Sequence, residues 1–149
     1  MAGAGPHVTP SARAGLLAPP LLLMGLIWFL SAQSDLKTDL GTIDLVLRKC
    51  AHVTEFGLLT LLWTRAVDGW RRGGAGGPLA LLGRWWGRSL AVGAAIAVVW
   101  AAIDEAHQAH VPGRVGTPRD VAIDALGIAA AALLVRWAAR RRASRPRPA

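Results

Sequence analysis

Four apolar runs, Gly15 to Ala32, Leu45 to Thr64, Ser89 to Ala106 and Val121 to Trp137, alternate along the chain with short polar stretches. Each approaches the ~20 residues that a helix needs to cross about 30 Å of hydrocarbon. A backbone in lipid must satisfy its own hydrogen bonds, and no alternating barrel pattern is visible, so the runs predict four helices. The second run is the least apolar, because Arg48, Lys49, His52 and Glu55 fall in its first half. It can span only if those groups face protein or water. The first run also fits a cleavable leader loosely, through Arg13, its leucines and the small residues Ser31 and Ala32. Pro19 and Pro20 read as lying near its helix entry, where a missing amide hydrogen would be unpaired anyway.

Composition adds the environment. A 149-residue chain that is 53% hydrophobic is too apolar for a soluble domain of this size, which makes it a polytopic membrane protein. The net charge of +8 lies mainly in Arg65 to Arg88 and Arg136 to Arg147, beside apolar runs. That is juxtamembrane anchoring, and it excludes nucleic acid as a partner. By the same bias, both termini and the Arg65 to Arg88 connection are expected to be cytoplasmic, with the other two connections outside. The expected organisation is a cytoplasmic tail at 1–14, a four-helix transmembrane bundle at 15–138 and a basic disordered tail at 139–149. Gly73 to Gly77 reads as a flexible linker, and Trp63, Trp70, Trp85, Trp86 and Trp137 as an interfacial belt. Cys50 stands alone, which excludes an internal disulfide and predicts a small buried residue.

The polar residues inside the runs carry the candidate chemistry, since an ionisable group at membrane depth costs kilocalories and marks function by default. Lys49, His52 and Glu55 recur at spacing three and share one helical stripe. Glu105 and Gln108 share a second, at the end of the third helix. Asp120 and Asp124 share a third at the start of the fourth, where the helix dipole favours carboxylates and Asp120 is expected to cap. All three stripes belong to the outer leaflet and should form one cluster. Arg114, on the turn expected at Pro112-Gly113, either clamps Glu105 or Asp120 or binds an anionic ligand. Asp104 points about 100° from Glu105 and is expected in solvent, as are His107 and His110. A divalent cation could draw ligands from His52, Glu55, Glu105, Asp120 and Asp124, but the spacing matches no familiar zinc or di-iron motif, so no metal and no cofactor are assigned. Ser31 and Ser34 lack a visible base, and no catalytic residue is named.

The ordered pattern Ser31-x-x-Ser34, Lys49-x-x-His52-x-x-Glu55-Phe56, Glu105-x-x-Gln108-x-x-x-Pro112-Gly113-Arg114, Asp120-x-x-x-Asp124-x-x-Gly127 resembles the VanZ-like family of bacterial membrane proteins, over roughly Leu26 to Trp137. The resemblance implies a multi-pass cell-membrane protein of the envelope, in a family whose name-giving member is linked to teicoplanin resistance. Two departures stand out. Asp124 occupies a position where many members carry Asn, and Glu55-Phe56 replaces an aromatic or small residue. Two functions are open: binding or acting on the anionic headgroup of a membrane lipid or lipid-linked envelope precursor, or a non-enzymatic module whose buried charges serve helix packing and partner binding.

Overall fold

The computed structural model describes residues 9–34, 41–72, 87–114 and 116–144. Four helices and no strands are found among them: α1 Pro10–Ser31, α2 Thr42–Arg71, α3 Gly87–Gln108 and α4 Pro118–Ala143. The linker at Gly73 to Gly77, Trp85 and Trp86 lie outside the described residues. Both terminal helices run past the expected tail boundaries, α1 by five residues and α4 to Ala143.

α1, α3 and α4 are long and apolar enough to cross a membrane; α2 is not apolar enough, for the reason visible in its first half. At 30 residues it is nonetheless the longest helix, about 45 Å at 1.5 Å per residue. It also sits at the centre, packing against α1, α3 and α4, whereas α1 and α4 do not touch. The helix that is not apolar enough to span is thus the one that packs against all three others.

Small residues set the helix separations. A Cβ at Gly127 of α4 would collide with the Val53 carbonyl of α2, and one at Gly93 of α3 would lie 2.6 Å from Thr64 Oγ1. Close backbone approach of this kind is how helices associate where no hydrophobic drive separates protein from lipid. Thr60 and Thr64 are fully buried there, and each hydroxyl donates to the carbonyl four residues earlier, at 2.8 and 2.7 Å, so neither needs a partner on α3. The apolar core below the polar cluster is built from Ile27, Phe56, Leu59, Ala97, Ala101 and Ile128. Large apolar side chains such as Leu22, Phe29, Leu47, Val99, Leu126 and Leu133 point outward, as expected of a lipid-facing surface.

Three expectations need correction. Pro19 and Pro20 are not at a helix entry: α1 begins at Pro10, capped by Thr9, and carries both prolines in its interior. Lacking an N–H, Pro19 frees the Gly15 carbonyl, which accepts from Arg65 Nη1 of α2 at 3.0 Å. Cys50 is exposed, on the same outward face of α2 as Leu47 and Thr54, where lipid accommodates a thiol. Trp63 packs against the core, whereas Trp70 and Trp137 are exposed and carry the Arg13 and Arg141 guanidinium groups over their rings, at 5.0 and 4.3 Å.

Candidate functional site

Because the helices alternate in direction, α1 and α3 finish at the end where α2 and α4 begin. The three polar stripes meet there. The first turn of α4 is set by Thr117 as N-cap, with Pro118 at the first helical position, where its missing N–H is harmless. Thr117 Oγ1 accepts from the Asp120 amide at 3.3 Å and donates to Asp120 Oδ2 at 3.1 Å. Thr117, and not Asp120, is therefore the cap. The Thr117 amide in turn donates to Glu105 Oε2 of α3 at 3.1 Å. Gly116 lies so close to the Glu105 carbonyl that a Cβ would collide with it, so the loop is pressed onto the end of α3.

Lys49 and His52 of α2 reach across to α4. Lys49 is ion-paired with Asp120, and His52 Nδ1 lies 3.2 Å from Asp124 Oδ1. A carboxylate at Nδ1 fixes the proton there and leaves Nε2 as the basic nitrogen. Neither aspartate uses Arg119, which is exposed. Glu55, third of its stripe, is half-buried and lines a pocket of about 140 Å³ with Ser31, Arg48, His52 and Arg114.

On the α1 side stands a group that periodicity placed in solvent. Asp104 is fully buried; its Oδ2 accepts from Ser31 Oγ and from Gln108 Nε2, both at 2.8 Å. Gln108 thus pairs with the residue four before it, not with Glu105. Asp104 and Glu105 do diverge by about 100°, but α3 has α1 on one side and the α4 loop on the other, so both directions lead into protein. The spacing Asp104-x-x-x-Gln108, opposite a serine at the end of α1, was the available clue. His107 is likewise not in water: its ring stacks on Trp28 with centroids 3.8 Å apart, while His110 is exposed.

Arg114 clamps neither Glu105 nor Asp120. Its Nε donates to the Gln33 carbonyl at 2.9 Å and its Nη2 to the Leu30 carbonyl at 2.8 Å, closing the C-terminal end of α1. Gly113 precedes it at φ 78°, a left-handed conformation that glycine adopts without strain. Burial, with the neighbouring Arg48 guanidinium, lowers the Arg114 pKa from the ordinary arginine value. Arg114 also lines both pockets at this end. The larger, about 180 Å³, has Arg48, Lys49, His52, Gln108 and Arg114 in its walls and, among the described residues, no carboxylate.

A family model described as VanZ/LLP1 matches residues 13–139. The chain belongs to the VanZ/LLP1 family. The match takes in α2 and α3 whole, nearly all of α1 and most of α4, and every residue of the cluster. No curated protein and no solved structure matches the chain. Membership together with three apolar helices makes it a membrane protein.

The arrangement brings three chemistries within one helix end. Cations wall a pocket, the His52 and Asp124 pair can exchange a proton, and the carboxylates Asp104, Glu105 and Asp124 are buried at 0%, 4% and 1% exposure. Ser31, which lacked a visible base in the sequence, has Asp104 as a hydrogen-bond acceptor.

Proposed function

We propose that this VanZ/LLP1 protein is a multi-pass cell-membrane protein of the envelope, its four helices crossing as one bundle with both termini cytoplasmic. Its pocket of Arg48, Lys49, His52 and Arg114 binds the anionic headgroup of a membrane lipid or lipid-linked envelope precursor at the outer face. The observation that supports the reading is the pocket's lining: cationic side chains and, among the described residues, no carboxylate, at the end of the bundle where α2 and α4 begin, next to a His–Asp pair able to donate or accept a proton. Altered susceptibility to glycopeptides of the teicoplanin type is the phenotype to which the family points.

The test is native mass spectrometry of the purified protein with its co-extracted lipids. Anionic lipids should be retained over neutral ones. The double variant Lys49→Gln/Asp120→Asn removes the pocket's cation and its partner together, leaving no unpaired charge, and should reduce anionic retention about tenfold, the equivalent of ~1.4 kcal/mol. Equal retention of neutral and anionic lipid by the native protein would overturn the reading. A specific observation also favours the non-enzymatic module: Lys49–Asp120 and His52–Asp124 both join α2 to α4 and could serve packing alone. On that view the double variant loses folded protein and lipid in step.

A further inference from the structure

The charges at this end do not balance. Asp120 has Lys49 and Asp44 has Arg48, while the Arg114 donors go to carbonyl oxygens. That leaves buried Asp104, Glu105 and Asp124, with half-buried Glu55 beside them, facing one imidazole, His52, and the single Arg114 charge. Buried carboxylates persist only where protons or cations offset them. Hydrogen-bond donors cover part of the need: Ser31 and Gln108 serve Asp104 Oδ2, and the Thr117 amide serves Glu105 Oε2. Asp124 has the least cover. Only 1% exposed, it uses Oδ1 toward His52, while its Oδ2 is buried with no hydrogen-bond partner among the described residues.

Geometry supplies the missing partner. One ring nitrogen of His52, one carboxylate oxygen of Glu105 and one of Asp124 lie within 4.8 Å of one another, contributed by three different helices. An ion that displaces the proton between them could use both atoms, because the 3.2 Å between His52 Nδ1 and Asp124 Oδ1 is also the spacing of neighbouring ligands on one ion with bonds of about 2.0–2.2 Å. Side-chain rotations of about an ångström would bring the third ligand to such a distance. We infer that His52, Glu105 and Asp124 form a site for one divalent transition cation, Zn²⁺ or Mn²⁺, at the junction of α2, α3 and α4. An imidazole with two carboxylates is a mixed nitrogen and oxygen set, suited to these ions more than to Ca²⁺ or Mg²⁺, which prefer oxygen alone. Three protein ligands leave room for water or a ligand oxygen on the ion. The inference reverses the expectation of no metal. Spacing along the chain could not reveal it, since the three ligands come from separate helices and share no local motif.

The site stands or falls apart from the headgroup pocket, so the two are measured separately. The full chain is purified in detergent without chelators and its metal content determined by elemental mass spectrometry. It is then stripped and titrated with Zn²⁺ or Mn²⁺ while thermal unfolding is followed. The expected result is about one equivalent per chain and a rise in Tm on adding the ion, because a cation that binds only the folded state stabilises it. Asp124→Asn and Glu105→Gln keep side-chain shape while removing charge. Each should weaken binding at least tenfold and abolish the Tm rise. Cys50→Ser, which removes an exposed thiol outside the ligand set and the cluster, should keep both. The inference is overturned if the native protein neither retains an ion nor gains Tm with Zn²⁺ or Mn²⁺, which would mean that protons balance the cluster. It is equally overturned if Asp124→Asn and Glu105→Gln bind as the native chain does. Lipid retention read on the same stripped samples separates this failure from failure of the headgroup reading.

Discussion

Arg114 ties the α3–α4 connection to the end of α1 through two carbonyls. Arg114→Ala removes both bonds and leaves the Leu30 and Gln33 oxygens without that donor. A charged hydrogen bond contributes about 1.5–3 kcal/mol, and a loss of that order should appear as a lower Tm of the purified protein. Arg114→Lys should recover less than half, since an ammonium cannot present two donors in the fixed fork that spans both oxygens. Equal stability of the native and alanine forms would show the contact to be idle. Stripe arguments had found Lys49, His52, Glu105, Gln108, Asp120 and Asp124, all now seen at one helix end, because a polar residue inside an apolar run is conspicuous. They failed for Asp104, where an angle was mistaken for exposure. They also gave Arg114 acidic partners, because a carbonyl freed at a helix end leaves no mark in the sequence.

At the scale of the helix, contact distance is set by what is missing. Gly127 allows α4 to lie on the Val53 carbonyl of α2, and both interhelical ion pairs of the cluster sit one to two turns away on the same two helices. Gly127→Ala forces α2 and α4 apart and should destabilise by about 1–3 kcal/mol, as overpacking of a tight contact does. Gly25→Ala, on α1 with nothing within 4 Å of the new methyl, should be neutral or stabilise by about 0.5–1 kcal/mol through helix propensity alone. Thermal unfolding of the two variants side by side checks the pair, and similar shifts would contradict the packing. The four helices were legible from hydropathy because their runs are long. Their ends were not: Pro19 and Pro20 suggested an entry, although Arg65 satisfies the carbonyl that Pro19 cannot.

For the whole molecule, the arginine bias predicts that the cluster end faces outward and the Arg65 to Arg88 connection inward. Cysteine labelling of intact cells can read this, with one precaution: Cys50 is exposed and must first be replaced. A cysteine at Thr42 or His110, both exposed at the cluster end, should react with an impermeant reagent, and one at Gly76 should not. Gly116 would be a poor probe site, because a side chain there meets the Glu105 carbonyl. The reverse labelling pattern would turn the protein over and remove the outer-leaflet headgroup from consideration. α2 is not apolar enough to count as a span, and the proposed crossing of all four helices relies on its central position, covered by α1, α3 and α4.

Among the described residues, the polar links that α1 and α2 make at the cluster end all join the first half of the chain to the second: Ser31 to Asp104, Lys49 to Asp120, His52 to Asp124, and the α1 carbonyls to Arg114. With all four helices crossing as proposed, the α1–α2 hairpin would enter the bilayer during synthesis as an unfinished half, its lysine and histidine unmatched until the later hairpin arrives. Such an intermediate is a natural client for insertion chaperones and membrane proteases. Cutting the gene between Arg72 and Gly87 should yield two fragments that are each degraded alone and that accumulate, and restore lipid retention, only when produced together; stable accumulation of the first fragment by itself would show that its charges find shelter without their partners.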